Sequence, residues 1–178
     1  MLLLVAIWAF AEATVFFIVA DVPISAIGLR QGWRASMLAA LVATLAAALG
    51  GLVVLGWSHA SPGSYHALLS RLPGISPALI DSTAADYAAQ GWKAMLKGSV
   101  SGTPYKLYAA AAAGENANAL AFLAASLAAR LPRFMLVAAL SGWIGKILRP
   151  RLSRCALTAA FFAFWILFYA AYFAAMGI

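Results

Sequence analysis

Charged side chains are scarce in this 178-residue chain. Only 10% of the residues are charged, whereas 65% are hydrophobic and the mean hydropathy is +0.93. These totals lie well outside the range of soluble domains. The single cysteine, Cys155, excludes an intrachain disulfide and any cysteine-based metal cluster. The two histidines, His59 and His66, are seven residues apart with no acid in step, so no metal site is predicted.

Enzyme signatures are missing as well. The stretch Gly98–Gly102 resembles a nucleophile loop, but Val100 stands where the G-x-S-x-G elbow needs its serine. The chain has no phosphate-binding loop with its lysine and no paired-aspartate metal motif. We therefore expect no enzyme, no catalytic residue and no cofactor.

Acids are the scarcest of the charged residues. The chain has five aspartates and glutamates and twelve lysines and arginines, which gives a formal net charge of +7. In a membrane protein such an excess favours basic cytoplasmic loops and contact with anionic lipid, and it makes nucleic acid a poor second choice. Once the apolar segments are counted, no residues remain for a soluble domain. The prediction is a single membrane domain, 1–178.

Long apolar runs fill most of the chain. Three of them predict membrane-spanning helices: 36–57, 116–144 and 155–178. The first carries no charge over its 22 residues, roughly 33 Å of helix, which is enough to cross a bilayer. The polar stretch 61–90 predicts two short helices at the membrane interface, because Ser61-Pro62 and Ser76-Pro77 are typical helix starts.

Two further apolar segments, 2–29 and 91–114, are interrupted by residues that a plain span does not need. Glu12, Asp21 and Pro23 interrupt the first, and Gly102, Pro104 and Lys106 interrupt the second. Non-helical backbone at membrane depth is tolerated only where it is buried in protein or lines a watery cavity. We therefore predict two re-entrant hairpins, broken at Pro23, Gly102 and Pro104. The alternative for 2–29 is one tilted helix with its acids near the ends.

The basic loops set the predicted topology. The loop 145–154 carries four cations and is assigned to the cytoplasm, and the loop 28–35 joins it there if 91–114 re-enters the membrane from outside. Each half is then a broken hairpin followed by a full span, entered from opposite faces. The predicted fold is an all-α integral membrane protein of two inverted halves with an added C-terminal transmembrane helix.

Five ionisable residues fall inside apolar segments: Glu12, Asp21, Lys106, Arg130 and Arg133. Their charges sum to +1, so two acid–base pairs would leave one cation over, as a phosphate site requires. Arginine offers a bidentate fork to phosphate oxygens, and lysine a point charge. Lys106, Arg130 and Arg133 are therefore the predicted phosphate ligands, and Glu12 and Asp21 the pairing or proton-carrying acids. The alternative is that all five only hold the two halves together.

Several short motifs resemble a known membrane family. They are Phe10-Ala11-Glu12, Asp21-Val22-Pro23, Gly102-Thr103-Pro104-Tyr105-Lys106, and Ala129-Arg130 through Arg133-Phe134. Together they resemble the DedA (VTT, SNARE-associated-like) family, nearest to its short YqaA-like branch, over about residues 10–145. The resemblance implies two facing re-entrant hairpins, membrane-embedded acids and arginines needed for activity, and translocation of lipid. The lipid implied in bacteria is undecaprenyl phosphate or phosphatidylethanolamine.

The predicted function is transport of a phosphate-bearing lipid across the bacterial cytoplasmic membrane, by a multi-pass flippase or scramblase that can be coupled to protons. Undecaprenyl phosphate and phospholipids are the expected partners, and the small size is compatible with a homo-oligomer. The alternative is a proton-coupled carrier of a small ion or osmolyte that uses Glu12 and Asp21. A third class is a non-transporting subunit in which the charges serve only to hold helices together.

Overall fold

The chain folds into a bundle of α-helices. The computed structural model describes residues 1–176. Helices make up 83% of the chain, and no strand occurs in the described range. The described helices are α1 Leu2–Thr14, α2 Asp21–Gln31, α3 Trp33–Ala60, α4 Pro62–Leu69, α5 Pro77–Gln90, α6 Trp92–Ser101, α7 Tyr105–Gly114, α8 Ala119–Leu148 and α9 Arg154–Met176. Residues 177–178 of the predicted last span lie outside the described range.

Three of these helices, α3, α8 and α9, are long and apolar enough to cross a bilayer. Helix α3 contains the predicted span 36–57, α8 covers 119–144 of the predicted span 116–144, and α9 contains the described part of 155–178. Helix α3, with 28 residues, extends three residues beyond the prediction at each end, whereas α8, with 30 residues, begins three residues later and ends four residues later than predicted. Their length and composition indicate a helical membrane protein.

Helices α3 and α8 form the antiparallel centre of the bundle. The start of α3 meets the end of α8, where the Ser36 hydroxyl donates to the carbonyl of Ala138 at 2.9 Å. Small side chains let the backbones approach, and a Cβ atom added at Gly142 would lie 2.6 Å from the Cα of Trp33. This is the small-residue packing expected between helices in lipid, where no hydrophobic effect drives association.

The first interrupted segment is two helices, so the single tilted helix is wrong. The chain leaves helical conformation between Thr14 and Asp21. With 13 and 11 residues, α1 and α2 are roughly 20 Å and 17 Å long, too short to span alone. Both ends of the pair lie together, because the Gln31 amide approaches Met1 Sδ at 2.9 Å. Pro23 lies in the first turn of α2, where a missing N–H costs nothing, and not in the break itself.

The second interrupted segment is broken at the residues expected from its sequence. Gly102 ends α6 in the left-handed conformation, with a φ of 88°, and Pro104 is the N-cap of α7. The packing then repeats that of the first pair. Helix α1 packs on α3 and α2 on α8, while α6 packs on α8 and α7 on α3. Helices α3 and α8 are thus each flanked by one short helix from each broken pair.

The polar stretch 61–90 holds the two expected short helices, α4 and α5. Both begin at the predicted prolines, and the Ser76 hydroxyl accepts a capping hydrogen bond from the N–H of Leu79 at 3.2 Å. Ser61 occupies the equivalent position before α4, but its side chain makes no capping bond. Helix α4 packs on α3 and α7, and α5 on α6 and α7, so both cover the second broken pair.

Candidate functional site

The five ionisable residues of the apolar segments converge at the middle of the bundle. Glu12 is near the end of α1, Asp21 begins α2, and Lys106 is the second residue of α7. Arg133 is the fifteenth of the 30 residues of α8, so it lies at the midpoint of that helix. Glu12, Asp21, Lys106 and Arg130 are buried, and Arg133 is partly exposed. The site therefore forms where both chain breaks meet the centre of α8.

Glu12 and Arg130 form the more deeply buried ion pair. Nη2 of Arg130 donates a hydrogen bond to Oε1 of Glu12 at 3.0 Å. Nη1 lies 2.8 Å from Oε2, which is an ionic contact without the angles of a hydrogen bond. The guanidinium also lies over the rings of Tyr105 and Phe134, with centroid distances of 4.3 Å and 5.3 Å. Arg130 is thus fixed from three sides by a carboxylate and two aromatic faces.

Asp21 and Arg133 form the second pair, on the neighbouring turn of α8. Nη2 and Nε of Arg133 donate to the same oxygen, Oδ2, at 2.6 Å and 3.2 Å. Nη1 donates to the carbonyl of Ser99 in the last turn of α6 at 3.3 Å. The Arg133 side chain keeps 31% of its surface exposed, against 5% for Arg130. Arg133 is therefore the arginine that a ligand can reach.

Lys106 is the cation left over. Its side chain is buried, and Nζ donates to the carbonyl of Phe16 in the first chain break at 2.6 Å. Within the described residues it forms no ion pair, because both buried carboxylates are held by arginines. With all five groups ionised, the site has a formal net charge of +1, and the unpaired cation is Lys106.

Side chains from α1, α7 and α9 satisfy the backbone of the first break. Lys106 bonds the Phe16 carbonyl, the Trp8 indole donates to the carbonyl of Ile18 at 3.1 Å, and the N–H of Val19 donates to the Tyr169 hydroxyl at 2.9 Å. Unpaired backbone groups are costly away from water, so these bonds make non-helical chain tolerable inside the bundle.

A cavity of about 310 Å³ opens between the two breaks, α8 and α9. Its charged lining is Glu12, Lys106, Arg130 and Arg133, and residues 101–104 of the second break form part of its wall. Aromatic residues of α9, Phe168, Tyr169 and Tyr172, close the side facing the C-terminal helix. Asp21 does not line the cavity and lies behind Arg133. The volume is near the lower end of the roughly 300–1,000 Å³ found for ligand sites.

Three buried polar atoms at the site have no hydrogen-bond partner among the described residues: Oε2 of Glu12, Oδ1 of Asp21 and Nε of Arg130. Buried polar groups are nearly always bonded, so each is a position where a ligand or water can bind. An acceptor oxygen suits Nε of Arg130, and a donor suits Oδ1 of Asp21. Arg130 lines the cavity, whereas Asp21 lies behind Arg133.

Two tyrosines belong to the site although the sequence did not single them out. The Tyr105 ring stacks against the Arg130 guanidinium, and the Tyr105 hydroxyl donates a hydrogen bond to Oγ of Ser126 at 2.6 Å. Tyr169 bonds the first break from α9. The position of Tyr105 between Pro104 and Lys106 was a usable signal. Nothing local distinguished Tyr169 from the other aromatic residues of α9.

No cluster of three or more histidine, cysteine or acidic residues that could hold a metal ion occurs within residues 1–176. Three span-length helices and a charged cavity between two broken helix pairs define the molecule as a helical membrane protein with an internal polar site. Comparison of the chain with known protein families, with curated proteins and with solved structures gave no match.

Proposed function

We propose that this protein is a membrane transporter that moves a phosphate-bearing lipid across the bilayer, as a flippase or scramblase. The observation that carries the proposal is Lys106, a buried cation that lines a cavity at mid-bundle and has no carboxylate partner among the described residues. Ionisable groups in such positions mark substrate paths by default. A phosphate monoester or diester supplies the negative charge that the described residues leave uncompensated.

The chain breaks support a transport function. Both ends of the first broken pair lie beside the start of α3, since Gln31 approaches Met1. The second pair packs on the two long helices in the same pattern. We infer that both pairs are re-entrant and that the halves α1–α3 and α6–α8 are inverted repeats. In that arrangement the site is at the repeat interface near the midplane, as in secondary transporters.

The ion pairs change the roles expected of the two arginines. Both were predicted to bind phosphate, but their forks hold Glu12 and Asp21 in this structure. We assign first contact with the phosphate to Lys106 and second contact to Arg133, the more exposed of the arginines. Arg130, enclosed by Glu12 and two aromatic rings, positions the floor of the cavity and offers Nε as its remaining donor.

Substrate binding to Arg133 also suggests how protons can be coupled to transport. A phosphate oxygen that takes the fork of Arg133 displaces the carboxylate of Asp21. A buried carboxylate without its cation is costly, and taking up one proton removes that charge. Release of the phosphate then restores the ion pair and returns the proton.

The deciding experiment compares two lysines of the second broken pair. Wild type, Lys106→Gln and the matched control Lys97→Gln are reconstituted in liposomes, and transbilayer movement of a fluorescent polyprenyl phosphate is followed by its loss to an impermeant quencher. Lys97 is exposed on α6, so its substitution removes the same charge outside the cavity. We expect Lys106→Gln to slow transport about tenfold or more while the control matches wild type. Equal rates in all three would refute the proposal.

A carrier of a small ion or osmolyte is the second candidate, and the modest cavity favours it. About 310 Å³ holds a small solute without contact to the lipid phase. Soluble phosphate, sulfate or a zwitterionic osmolyte would then raise the melting temperature of wild type but not of Lys106→Gln. Labelled lipid would show no protein-dependent movement in the same preparations.

The resemblance to the DedA family belongs to this proposal and rests on the motifs at both breaks and on Arg130 and Arg133. It implies a multi-pass protein of the bacterial cytoplasmic membrane, and we propose that location. Anionic lipids are the proposed partners, and a homo-oligomer is compatible with the exposed face of α9. Fractionation of cells that express the chain, followed by size measurement in detergent, tests both statements.

A further inference from the structure

A second group of cations lies at the end of the molecule where α3 begins. Arg30 from α2, Arg149 after α8 and Arg154 at the start of α9 line a groove of about 690 Å³. The rest of its lining is Leu152, Leu157 and Thr158. All five acids of the chain are elsewhere, two in the central site and three on or after α5 and α7. The groove therefore carries three positive charges and no compensating carboxylate.

The bonds made by these arginines leave their charge uncovered. Nη2 of Arg30 donates to the Thr158 hydroxyl at 2.9 Å, and Nε of Arg149 donates to the carbonyl of Gly145 at 2.9 Å. Both acceptors are neutral. Arg154 is the first residue of α9, at the positive end of the helix dipole, where a cation is disfavoured and an anion is favoured. The arrangement is repulsive until an anion enters it.

The surroundings of the groove indicate which anion it takes. Trp33 and Trp143 are exposed at the same end of the bundle, and tryptophan is enriched where membrane and water meet. Leu152 and Leu157 give the groove an apolar side next to its charges. We propose that this groove binds the phosphate headgroup of an anionic membrane lipid, held by the guanidinium groups of Arg30, Arg149 and Arg154.

Such a lipid would tie α9 to a bundle that it otherwise contacts little. Helix α9 is largely exposed, and α2 is the main helix that it contacts. A headgroup shared by Arg30, Arg149 and Arg154 connects α9 to the first broken pair and to the end of α8. The site is separate from the central cavity and does not depend on transport.

The test uses two triple variants that remove the same charge. Arg30→Gln/Arg149→Gln/Arg154→Gln empties the groove of cations, and Arg71→Gln/Lys93→Gln/Lys97→Gln removes three exposed cations outside it. The delipidated proteins are incubated with phosphatidylglycerol, phosphatidylcholine or inorganic phosphate. Native mass spectrometry counts the bound lipids, and a melting curve reports stabilisation. Both triple variants keep Lys106 and the central cavity, so the difference in bound lipid between them reports the groove alone.

We expect wild type and the control triple variant to retain phosphatidylglycerol about tenfold better than phosphatidylcholine, and the groove variant to lose that preference. If the groove variant does not fold, Arg154→Gln alone serves, because its guanidinium makes no hydrogen bond within the described residues, and it should weaken the preference. Full preference in the groove variants, or equal binding of both lipids by wild type, would overturn the proposal. Stabilisation by inorganic phosphate equal to that by phosphatidylglycerol would assign the groove to a free anion and overturn the lipid.

Discussion

Arg130 shows how burial decides what one side chain can do. Its guanidinium is 5% exposed and faces a carboxylate that is also buried. Removing one partner of a buried ion pair leaves an uncompensated charge, which costs about 3–5 kcal/mol. Arg130→Ala should therefore lower the free energy of unfolding by about that amount. Chemical denaturation in detergent measures it, with the exposed Arg34→Ala as control, which should unfold like wild type.

The same pair separates a structural role from a role in transport. The double variant Glu12→Leu/Arg130→Met replaces the pair by apolar side chains, and such replacements are often neutral or stabilising. If the charges only hold helices together, the double variant should recover both stability and transport. If Arg130 forms part of the phosphate site, stability should return and transport in the liposome assay should stay low. We expect the second result.

Gly51 is the residue on which the position of Tyr105 depends. A Cβ atom at Gly51 would collide with the hydroxyl and the ring of Tyr105, whereas a Cβ atom at Gly56 would have no neighbour within 4 Å. Gly51→Ala should cost about 1–3 kcal/mol and should also reduce transport, because Tyr105 supports Arg130. Gly56→Ala should be neutral or slightly stabilising, since Gly is unfavourable in a helix. A normal melting temperature for Gly51→Ala would contradict this account.

Within the second broken pair, Gly102 sets the angle between α6 and α7. Its φ of 88° is open to glycine but strained for a side chain, although a Cβ atom there meets no neighbour. Gly102→Ala should therefore cost about 1–2 kcal/mol through the backbone alone. Gly114→Ala, at the end of α7 with equal open space and no positive φ, is the control and should cost nothing. Equal melting temperatures for the two variants would remove Gly102 as the cause of the break.

At the scale of the whole molecule, we predict that the first broken pair enters and leaves the membrane on the same side. Cysteines are placed at Leu3, Gln31, Ser61 and Glu115, all exposed positions, in a Cys155→Ser background. An impermeant maleimide should label Leu3→Cys and Gln31→Cys from one side of sealed vesicles, together with native Cys155 in the wild type. Ser61→Cys and Glu115→Cys should react from the other side. Opposite sides for Leu3→Cys and Gln31→Cys would show that 2–29 crosses the membrane.

Local properties of the chain were sufficient to predict its three long helices and the second break. Whether a segment spans a bilayer depends on its own length and apolar content, so α3, α8 and α9 were evident from composition. Gly102 and Pro104 marked the second break because each has restricted or special backbone chemistry. The first break has no glycine and lies between Thr14 and Asp21, before the proline, so its position was less evident. The leftover cation followed from adding five charges.

The partners of those charges required the folded structure. Arg130 and Glu12 are 118 residues apart, Arg133 and Asp21 are 112 apart, and Lys106 is 90 residues from the carbonyl it bonds. Val19 and Tyr169, which join the first break to α9, are 150 apart. Charge and hydropathy are sums over residues and can be read in order along the chain. The choice of partner depends on which helices pack together, and that is decided by contacts distributed over the whole bundle.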